Sequence, residues 1–224
     1  MLLKSFKGLV GTMSTYTNNY LVYDEKTNEG MLIDVADNVD KIYNFIENSQ
    51  IKLKYIVLTH CHGDHTLGIK ELKNLYPNSK IIIHESDAYG LTDDEINRCS
   101  YIGREPNFTE ADIIVKDGEF LEIGEIKAEI IHTPGHTKGS ISILVGDALF
   151  SGDTLFKGAV GRTDLPTSSS FDMRQSIKKL LELPENTIVY PGHGMSTIID
   201  EEKEWFAWKS ASRCVTSIVC GACN

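Results

Sequence analysis

The sequence predicts an α/β protein in which two β-sheets pack between helices. Apolar, strand-like runs open the chain, helical periodicity follows, and the same succession then repeats in the second half. With 224 residues the chain is long enough for one large α/β domain. We therefore expect one catalytic domain over residues 1–209, followed by a cysteine-containing tail over residues 210–224.

The first half begins with three strands and a helix. Runs rich in apolar and β-forming residues predict strands over residues 6–13, 19–23 and 30–35. Val39, Ile42, Tyr43 and Ile46 recur at helical spacing, which predicts a helix over 39–46 with Asp37 or Asn38 as its N-cap. Residues 55–58 form a short apolar run that is typical of a strand buried on both faces. Its C-terminal end is where α/β folds place their ligands.

The rest of the chain continues the alternation. A helix over 67–75 and a strand over 80–83 are expected, whereas residues 85–107 have no regular pattern. Further strands are predicted over residues 119–123, 126–132, 140–144, 148–150 and 187–190, with Gly146 and Asp147 as a hairpin turn. Helices are predicted over 171–183, ending before Pro184, and over 201–209, where Trp205, Phe206 and Trp208 are expected to pack against a sheet.

Charge and cysteine content limit the partners and the location. The formal net charge of −10 disfavours nucleic acid as a partner. No apolar run reaches the length of a membrane helix, and Lys4 and Lys7 interrupt the N-terminal apolar residues, so a cytoplasmic location is expected. Five cysteines, an odd number, favour reduced thiols, and we expect Cys214, Cys220 and Cys223 to lie in a loosely ordered terminus.

The segment from His60 to His65 concentrates potential metal ligands. His60, His62, Asp64 and His65 stand within six positions at the end of a predicted strand. Three imidazoles and a carboxylate are ligands that zinc, iron(II), manganese or cobalt accept. Because alternate residues point to one side, His60 and His62 can share one metal while Asp64 and His65 face a second.

Three more candidate ligands follow predicted strands, each flanked by glycine or proline. They are His136 in Pro-Gly-His-Thr, Asp153 in Ser-Gly-Asp-Thr and His193 in Pro-Gly-His-Gly. Such neighbours permit tight turns and a close approach of the backbone to a metal. His84 and His132 lack glycine neighbours, so a structural role is favoured for both, with orientation of a ligand left open for His132.

These motifs resemble the metallo-β-lactamase superfamily, whose H-x-H-x-D-H motif stands at residues 60–65 and is followed by the loops of His136, Asp153 and His193. The stretches over residues 133–140, 152–156 and 158–164 resemble the glyoxalase II-like branch, in particular its short single-domain bacterial members. The likeness covers about residues 5 to 204.

The resemblance implies a fold, a cofactor and a reaction. The fold is a four-layer αβ/βα sandwich with two divalent metal ions, zinc, or alternatively iron or manganese, in a groove at one edge of the sheets. One ion is held by His60, His62 and His136, the other by Asp64, His65 and His193, and Asp153 bridges them. A shared water of lowered pKa would then attack the carbonyl of a thioester such as S-lactoylglutathione.

The resemblance also implies roles for individual residues. Asp64 is the catalytic candidate, since besides binding a metal it can orient the attacking hydroxide or move its proton. Lys157 and Arg162 are candidates for contacting an anionic substrate. Longer glyoxalase II enzymes hold glutathione with basic residues of a helical C-terminal domain, and twenty residues follow Glu204 here, so the thiol part of the substrate stays open.

Other functions remain open at this point. A mononuclear-iron persulfide dioxygenase resembles this chain through the early motif and the Gly-Arg-Thr-Asp loop at residues 161–164. A β-lactam or lactone hydrolase and a non-enzymatic metal-binding module are less favoured alternatives. An RNA-processing nuclease conflicts with the acidic charge, and flavodiiron chemistry is disfavoured because that branch has Glu where this chain has His62.

Overall fold

Two six-stranded sheets form the centre of the protein. The structure, a computed structural model, describes residues 1–9, 16–37, 39–106 and 108–207. In the first sheet, neighbouring strands are also consecutive along the chain. These strands are β1 Leu2–Leu9, β2 Tyr16–Tyr23, β3 Glu29–Ile33, β4 Lys52–Val57, β5 Lys80–His84 and β6 Ile113–Val115. The first two pairings are antiparallel and the other three are parallel.

The second sheet is formed by strands from the second half of the chain. These strands are β7 Phe120–Ile123, β8 Ile126–His132, β9 Ile141–Val145, β10 Ala148–Gly152, β11 Leu155–Phe156, β12 Ala159–Val160, β13 Ile188–Pro191 and β14 Thr197–Ile198. β11 and β12 pair with each other as a small hairpin, and the other six form the sheet in the order β14-β13-β10-β9-β8-β7. β10 and β13 are parallel, so the loops that follow both strands lie at the same edge.

Helices cover the outer faces of both sheets. The described helices are α1 Val39–Asn48, α2 Gly63–Thr66, α3 Ile69–Leu75, α4 Asp94–Asn97, α5 Ser170–Leu181 and α6 over residues 199–207. One apolar cluster joins α1 and α3 to the first sheet, a second fills the space between the sheets, and a third joins α5 and α6 to the second sheet. The four-layer αβ/βα sandwich of the metallo-β-lactamase fold is thus confirmed.

Alternating burial explains why the strands of the first sheet are apolar throughout. Leu32 and Ile56 pack under the helices, whereas their neighbours Ile33 and Val57 pack between the two sheets. Both faces of these strands are covered, as expected of parallel strands in an α/β protein. The predicted burial of the 55–58 run on both faces is therefore confirmed.

Most predicted elements are present, with shifted ends. The first strand begins at Leu2, four residues before the predicted start. β6 was missed because it has three residues and one of them, Ile114, is exposed at the sheet edge. β11, β12 and β14 were missed for the same reason, since each has only two residues. The irregular region 85–107 contains α4 and two 3-10 turns, Ala88–Thr92 and Ser100–Ile102.

Several sequence predictions lie outside the described residues. They concern residues 10–13 of the first strand, the cap at Asn38, the end of the last helix, Trp208, the boundary at residue 209, and Cys214, Cys220 and Cys223. Phe206 joins the third apolar cluster, as expected for the last helix. Among the described residues, none of the helices has the length and apolar character that crossing a membrane requires.

Candidate metal centre

The predicted ligands meet at one edge of the two sheets, where four loops converge. The loop after β4 carries His60 to His65, and α2 begins within it at Gly63. The other three ligands follow strands of the second sheet: His136 after β8, Asp153 after β10 and His193 after β13. A hydrogen bond from the Ile141 amide to the Thr59 carbonyl, over 2.8 Å, holds the loops of the two sheets together.

A first group of potential ligands consists of His60, His62 and His136, all buried. Nδ1 of His62 lies 2.9 Å from Nε2 of His136. Nε2 of His60 is buried and has no hydrogen-bond partner among the described residues. A buried nitrogen without a partner is costly unless a cation occupies its lone pair.

A second group consists of Asp64, His65 and His193. Nε2 of His193 lies 3.2 Å from Oδ2 of Asp64, and Nε2 of His65 lies 3.6 Å from the same oxygen. Thr17 donates a longer hydrogen bond, 3.4 Å, to that oxygen. This group is more accessible than the first, because Asp64 and His193 are only partly buried.

Asp153 lies between the two groups. Its Oδ1 is 3.4 Å from Nε2 of His65, and its Oδ2 is 3.5 Å from Nε2 of His136 and 3.4 Å from Nε2 of His193. Bonds of about 2.0–2.2 Å to one zinc ion place neighbouring ligand atoms roughly 3.3–3.6 Å apart in a tetrahedron. The donor types of the seven residues therefore suit divalent cations, and the spacings around Asp153 match those of ligands that share one metal ion.

Hydrogen bonds from Nδ1 orient four of the five histidines. His60 donates to Thr59 Oγ1 over 3.0 Å and His65 to Asp34 Oδ2 over 2.8 Å. His136 donates to the Arg162 carbonyl over 3.0 Å and His193 to the Tyr16 carbonyl over 2.9 Å. In each case Nε2 is left as the ligand atom, an arrangement that fixes both the tautomer and the ring plane.

Burial and neighbouring charges shift the pKa values of the candidate ligands in different directions. Burial lowers the pKa of His60 well below its usual value and that of His62 to about 3, so both rings are neutral. Burial alone would raise the pKa of Asp64, but His65 and His193 outweigh it and bring the pKa to about 2. Although burial opposes it, Asp153 and Asp64 raise the pKa of His193 to about 10. The carboxylates thus favour positive charge beside them, which a divalent cation supplies.

The metal-ligand groups form the floor of an open cleft of about 720 Å³. Arg162 lines this cleft, with its guanidinium paired to Asp164 through distances of 2.7 and 2.8 Å. Lys157, the other predicted substrate contact, does not line the cleft, because its Nζ lies 3.2 Å from Glu201 on α6.

The two remaining histidines stack on each other away from the cleft. The rings of His84 and His132 have centroids 4.0 Å apart and an interplanar angle of 11°. Nε2 of His132 contacts the Lys138 carbonyl, so its polar contact is with the backbone of the His136 loop and not with a ligand side chain. The favoured structural role fits these contacts.

Two buried carboxylates that are absent from the sequence prediction, Asp34 and Asp87, support the site. Asp34 accepts hydrogen bonds from His65 and Thr59, and Asp87 accepts them from Cys61, Thr137 and Gly139. Asp34 directly follows β3, and Asp87 lies three residues beyond β5. A carboxylate at the C-terminal end of a buried parallel strand was the available signal.

Sequence comparisons identify a family and relatives for this chain. The family model described as "Metallo-beta-lactamase superfamily" matches residues 14–193. The "Probable metallo-hydrolase YqgX" of Bacillus subtilis is 34% identical over 190 residues, which cover 83% of this chain and 88% of that protein. The "Glyoxylase B2" of Dictyostelium discoideum is 32% identical over 200 residues, covering 81% of this chain and 67% of that protein.

Solved structures share the whole architecture. The BLEG-1 B3 metallo-beta-lactamase superposes with a TM-score of 0.81 at 30% identity, covering 91% of this chain and 97% of that one. TTHA1623, solved in a di-iron-bound form, superposes with a TM-score of 0.76 at 28% identity, covering 87% of this chain and 96% of that one. Together with the convergence of histidine and aspartate side chains, these matches show that the chain belongs to the metallo-β-lactamase superfamily and is a metal-dependent hydrolase of that kind.

Proposed function

We propose that this protein is a binuclear metallohydrolase that cleaves a thioester, such as S-lactoylglutathione or a related acyl thiol. The observation that carries the proposal is the sharing of Asp153 between two ligand groups at the floor of an open cleft. The name of the Dictyostelium relative supports the glyoxalase II-like branch, and the di-iron form of TTHA1623 supports two metal ions.

Each ligand group would hold one divalent cation. His60, His62 and His136 would hold the first, Asp64, His65 and His193 would hold the second, and Asp153 lies within reach of both groups. Zinc suits this mixture of imidazole and carboxylate, and iron and manganese accept the same donors. When bound, the two cations supply a water of lowered pKa and a positive charge opposite the oxyanion that develops on the carbonyl.

Asp64 has a second role in the reaction. Its carboxylate is partly exposed to the cleft and is ionised, because positive charge beside it outweighs the effect of burial and lowers its pKa: this charge comes from His65 and His193 in the metal-free site and would come from the cation in the loaded one. An ionised carboxylate at this place accepts a hydrogen bond from the attacking water and so orients it toward the thioester carbonyl. Thr17, which donates to Oδ2, keeps the carboxylate in position.

The nearest cysteine does not act as a nucleophile. Cys61 stands between two ligand residues, but its side chain is fully buried. Burial, with the neighbouring Asp87, raises the pKa of the Cys61 thiol well above its usual value. A protonated thiol without access to the cleft cannot attack a substrate, so hydrolysis proceeds by direct attack of water.

Apolar side chains in the cleft suit the uncharged part of the substrate. Phe156 and Leu165 line the cleft beside the ligands, and the Phe156 ring meets the His193 ring edge to face with centroids 6.1 Å apart. These apolar groups offer a surface against which the uncharged part of a substrate can pack.

Metal counting and a substrate panel test the proposal. Protein reconstituted separately with zinc, iron(II) or manganese is assayed with S-lactoylglutathione, an acyl-coenzyme A and a chromogenic β-lactam, the last because BLEG-1 is a close structural neighbour. We expect two metal ions per chain and turnover of a thioester. Turnover of the β-lactam without any thioester hydrolysis overturns the proposal.

A mononuclear-iron persulfide dioxygenase is the second candidate. It is favoured by the burial of His60, His62 and His136, because three imidazoles suffice to hold a single iron ion. One iron per chain, with oxygen consumption on glutathione persulfide, would establish it in place of the thioesterase.

A further inference from the structure

A turn that carries Arg98 packs directly against the metal-ligand loop. A methyl group placed on Gly63 would lie 2.5 Å from Sγ and 3.1 Å from Cα of Cys99, and 3.3 Å from the Asn97 carbonyl oxygen. Gly63 stands between the ligands His62 and Asp64. The absence of a side chain there lets residues 97–99 approach the site closely, so the position of the turn is fixed relative to the metals.

The buried side chain of Asn97 holds the turn in shape. Its Nδ2 donates to the Gly90 carbonyl over 3.1 Å, and its Oδ1 accepts from the Cys99 amide over 3.1 Å. Arg98, between these anchors, has a left-handed backbone with φ 66° and ψ 21°. This left-handed residue is the C-cap of α4 and ends the helix there, so that the chain turns toward Tyr101.

The side chain of Arg98 enters the cleft supported by one aromatic ring. Its guanidinium carbon lies 3.2 Å from the ring centroid of Tyr101, which is 70% exposed. Both residues line the same cleft as His62 and Asp64. Stacking on an aromatic ring restrains the guanidinium plane and leaves its edge N–H groups available to a ligand.

Among the described residues, Arg98 differs from Lys157 and Arg162, the two cations predicted from the sequence, in having no carboxylate partner. Lys7 also lines the cleft without an ion pair in the described part of the chain, but no aromatic ring restrains its ammonium group there. Within the described ranges, the Arg98 guanidinium forms no ion pair, whereas Arg162 is paired with Asp164 and Lys157 with Glu201. The chain as a whole has a net charge of −10. An unpaired, restrained guanidinium in the substrate cleft of an acidic protein is suited to bind an anion from solution.

We propose that Arg98, stacked on Tyr101, binds the anionic end of the substrate, and that the substrate is a thioester whose thiol part carries a carboxylate or a phosphate. This inference rests on the proposed thioesterase function. The planar guanidinium donates two parallel hydrogen bonds to either oxyanion, while the thioester carbonyl lies over the metal ligands. Arg98 is therefore a specificity-determining residue.

Direct binding separates this inference from the hydrolytic activity. The probes are S-methylglutathione, which offers carboxylates, coenzyme A, which offers phosphates, and pantetheine, which is neutral. Their dissociation constants are measured by calorimetry on metal-loaded wild type, Arg98→Gln and Arg174→Gln. Arg174 is exposed on α5 and does not line the cleft. Arg174→Gln therefore removes the same charge as Arg98→Gln, but away from the cleft, and serves as the control.

We expect Arg98→Gln to weaken binding of at least one anionic probe about tenfold or more, the loss typical of charge-assisted hydrogen bonds. Pantetheine binding should not change, and Arg174→Gln should behave as wild type. A loss confined to coenzyme A assigns a phosphate to Arg98, and a loss confined to S-methylglutathione assigns a carboxylate. Arg98→Lys, which keeps the charge without the planar fork, should recover part of the loss.

Three results overturn the inference: wild type binds neither anionic probe, Arg98→Gln binds them as wild type does, or Arg174→Gln weakens binding equally. The unfolding midpoint of each variant in urea verifies that it is folded. If wild type hydrolyses no thioester and yet Arg98→Gln weakens binding of an anionic probe, the thioesterase proposal fails while the anion-binding role of Arg98 stands.

Discussion

His65 donates a hydrogen bond from Nδ1 to Oδ2 of Asp34 over 2.8 Å, and both residues are buried. The Asp34 carboxylate also accepts hydrogen bonds from the amide and the hydroxyl of Thr59, the residue that precedes the ligand His60. Asp34 has a left-handed backbone with φ 58° directly after β3, which turns its side chain toward the ligand loop. One carboxylate thus orients ligands of both proposed metals.

Substitution of Asp34 should therefore weaken metal binding without removing a ligand. For Asp34→Asn we expect about tenfold to a hundredfold weaker affinity, because His65 loses a charged acceptor that fixes its ring. Asn tolerates the left-handed backbone, so the local fold is retained. Competition with a chromogenic chelator measures the affinity. Asp40→Asn, at an exposed position on α1, is the control, and equal affinities in both variants would falsify the orienting role.

Asp87 connects the first ligand loop to the His136 loop and should be important for stability. Its buried carboxylate accepts hydrogen bonds from the Cys61 amide, the Thr137 hydroxyl and the Gly139 amide over 2.7 to 3.1 Å. Asp87→Ala leaves these donors unsatisfied, so we expect it to destabilise the fold by about 3 kcal/mol or more. Urea denaturation measures the loss. Asp40→Ala should change stability by about 0.5 kcal/mol or less, and a similarly small change for Asp87→Ala would contradict the prediction.

Gly192 lies against the metal ligands, and its substitution should disrupt the centre. A methyl group at this position would overlap Asp153 Oδ1 and lie 2.7 Å from Cε1 of His65. For Gly192→Ala we expect the bound metal per chain to fall by at least half in elemental analysis. Gly194 has open space around it, with φ 81°, so Gly194→Ala strains the backbone but should keep its metal. Full occupancy in Gly192→Ala would argue against Asp153 and His65 as ligands.

The stacked histidine pair predicts a pH dependence of stability that is separate from the metals. Burial, with the neighbouring His132, lowers the pKa of His84. The imidazole of His84 therefore binds a proton more readily in the unfolded chain than in the folded protein. The folded state has its full stability above pH about 6.5, where His84 is neutral in both states, and loses part of it as the pH falls through the folded-state pKa of His84. His84→Phe keeps a ring against His132 and removes the titration.

Urea midpoints between pH 5 and 8 test this prediction. Wild type and His84→Phe are compared in the same excess of chelator, so that loss of metal at low pH affects neither curve. The midpoint of the variant should fall less than that of wild type as the pH decreases. Parallel curves would show that His84 is not the titrating group.

Local sequence patterns were sufficient to predict the layers of the fold and the seven residues that converge at the candidate metal centre. The apolar run at residues 55–58 predicts a strand that is buried on both faces, because a parallel strand between two apolar layers does not alternate apolar and polar residues. The histidine and aspartate residues at 60–65, 136, 153 and 193 were readable because glycine and proline mark the turns around them. Turn and burial patterns are local, so a single chain reveals them.

Which side chains are available to a ligand follows from long-range packing and pairing. Lys157 and Arg162 are cations near the motifs in sequence, but each forms an ion pair in the structure, Lys157 with Glu201 and Arg162 with Asp164. Arg98 lay in a region without periodicity, and only the packing of its turn against Gly63 brings it to the cleft. Asp34 and Asp87 likewise gain their roles from partners distant in sequence. Such pairings depend on the three-dimensional arrangement of loops, which no local pattern encodes.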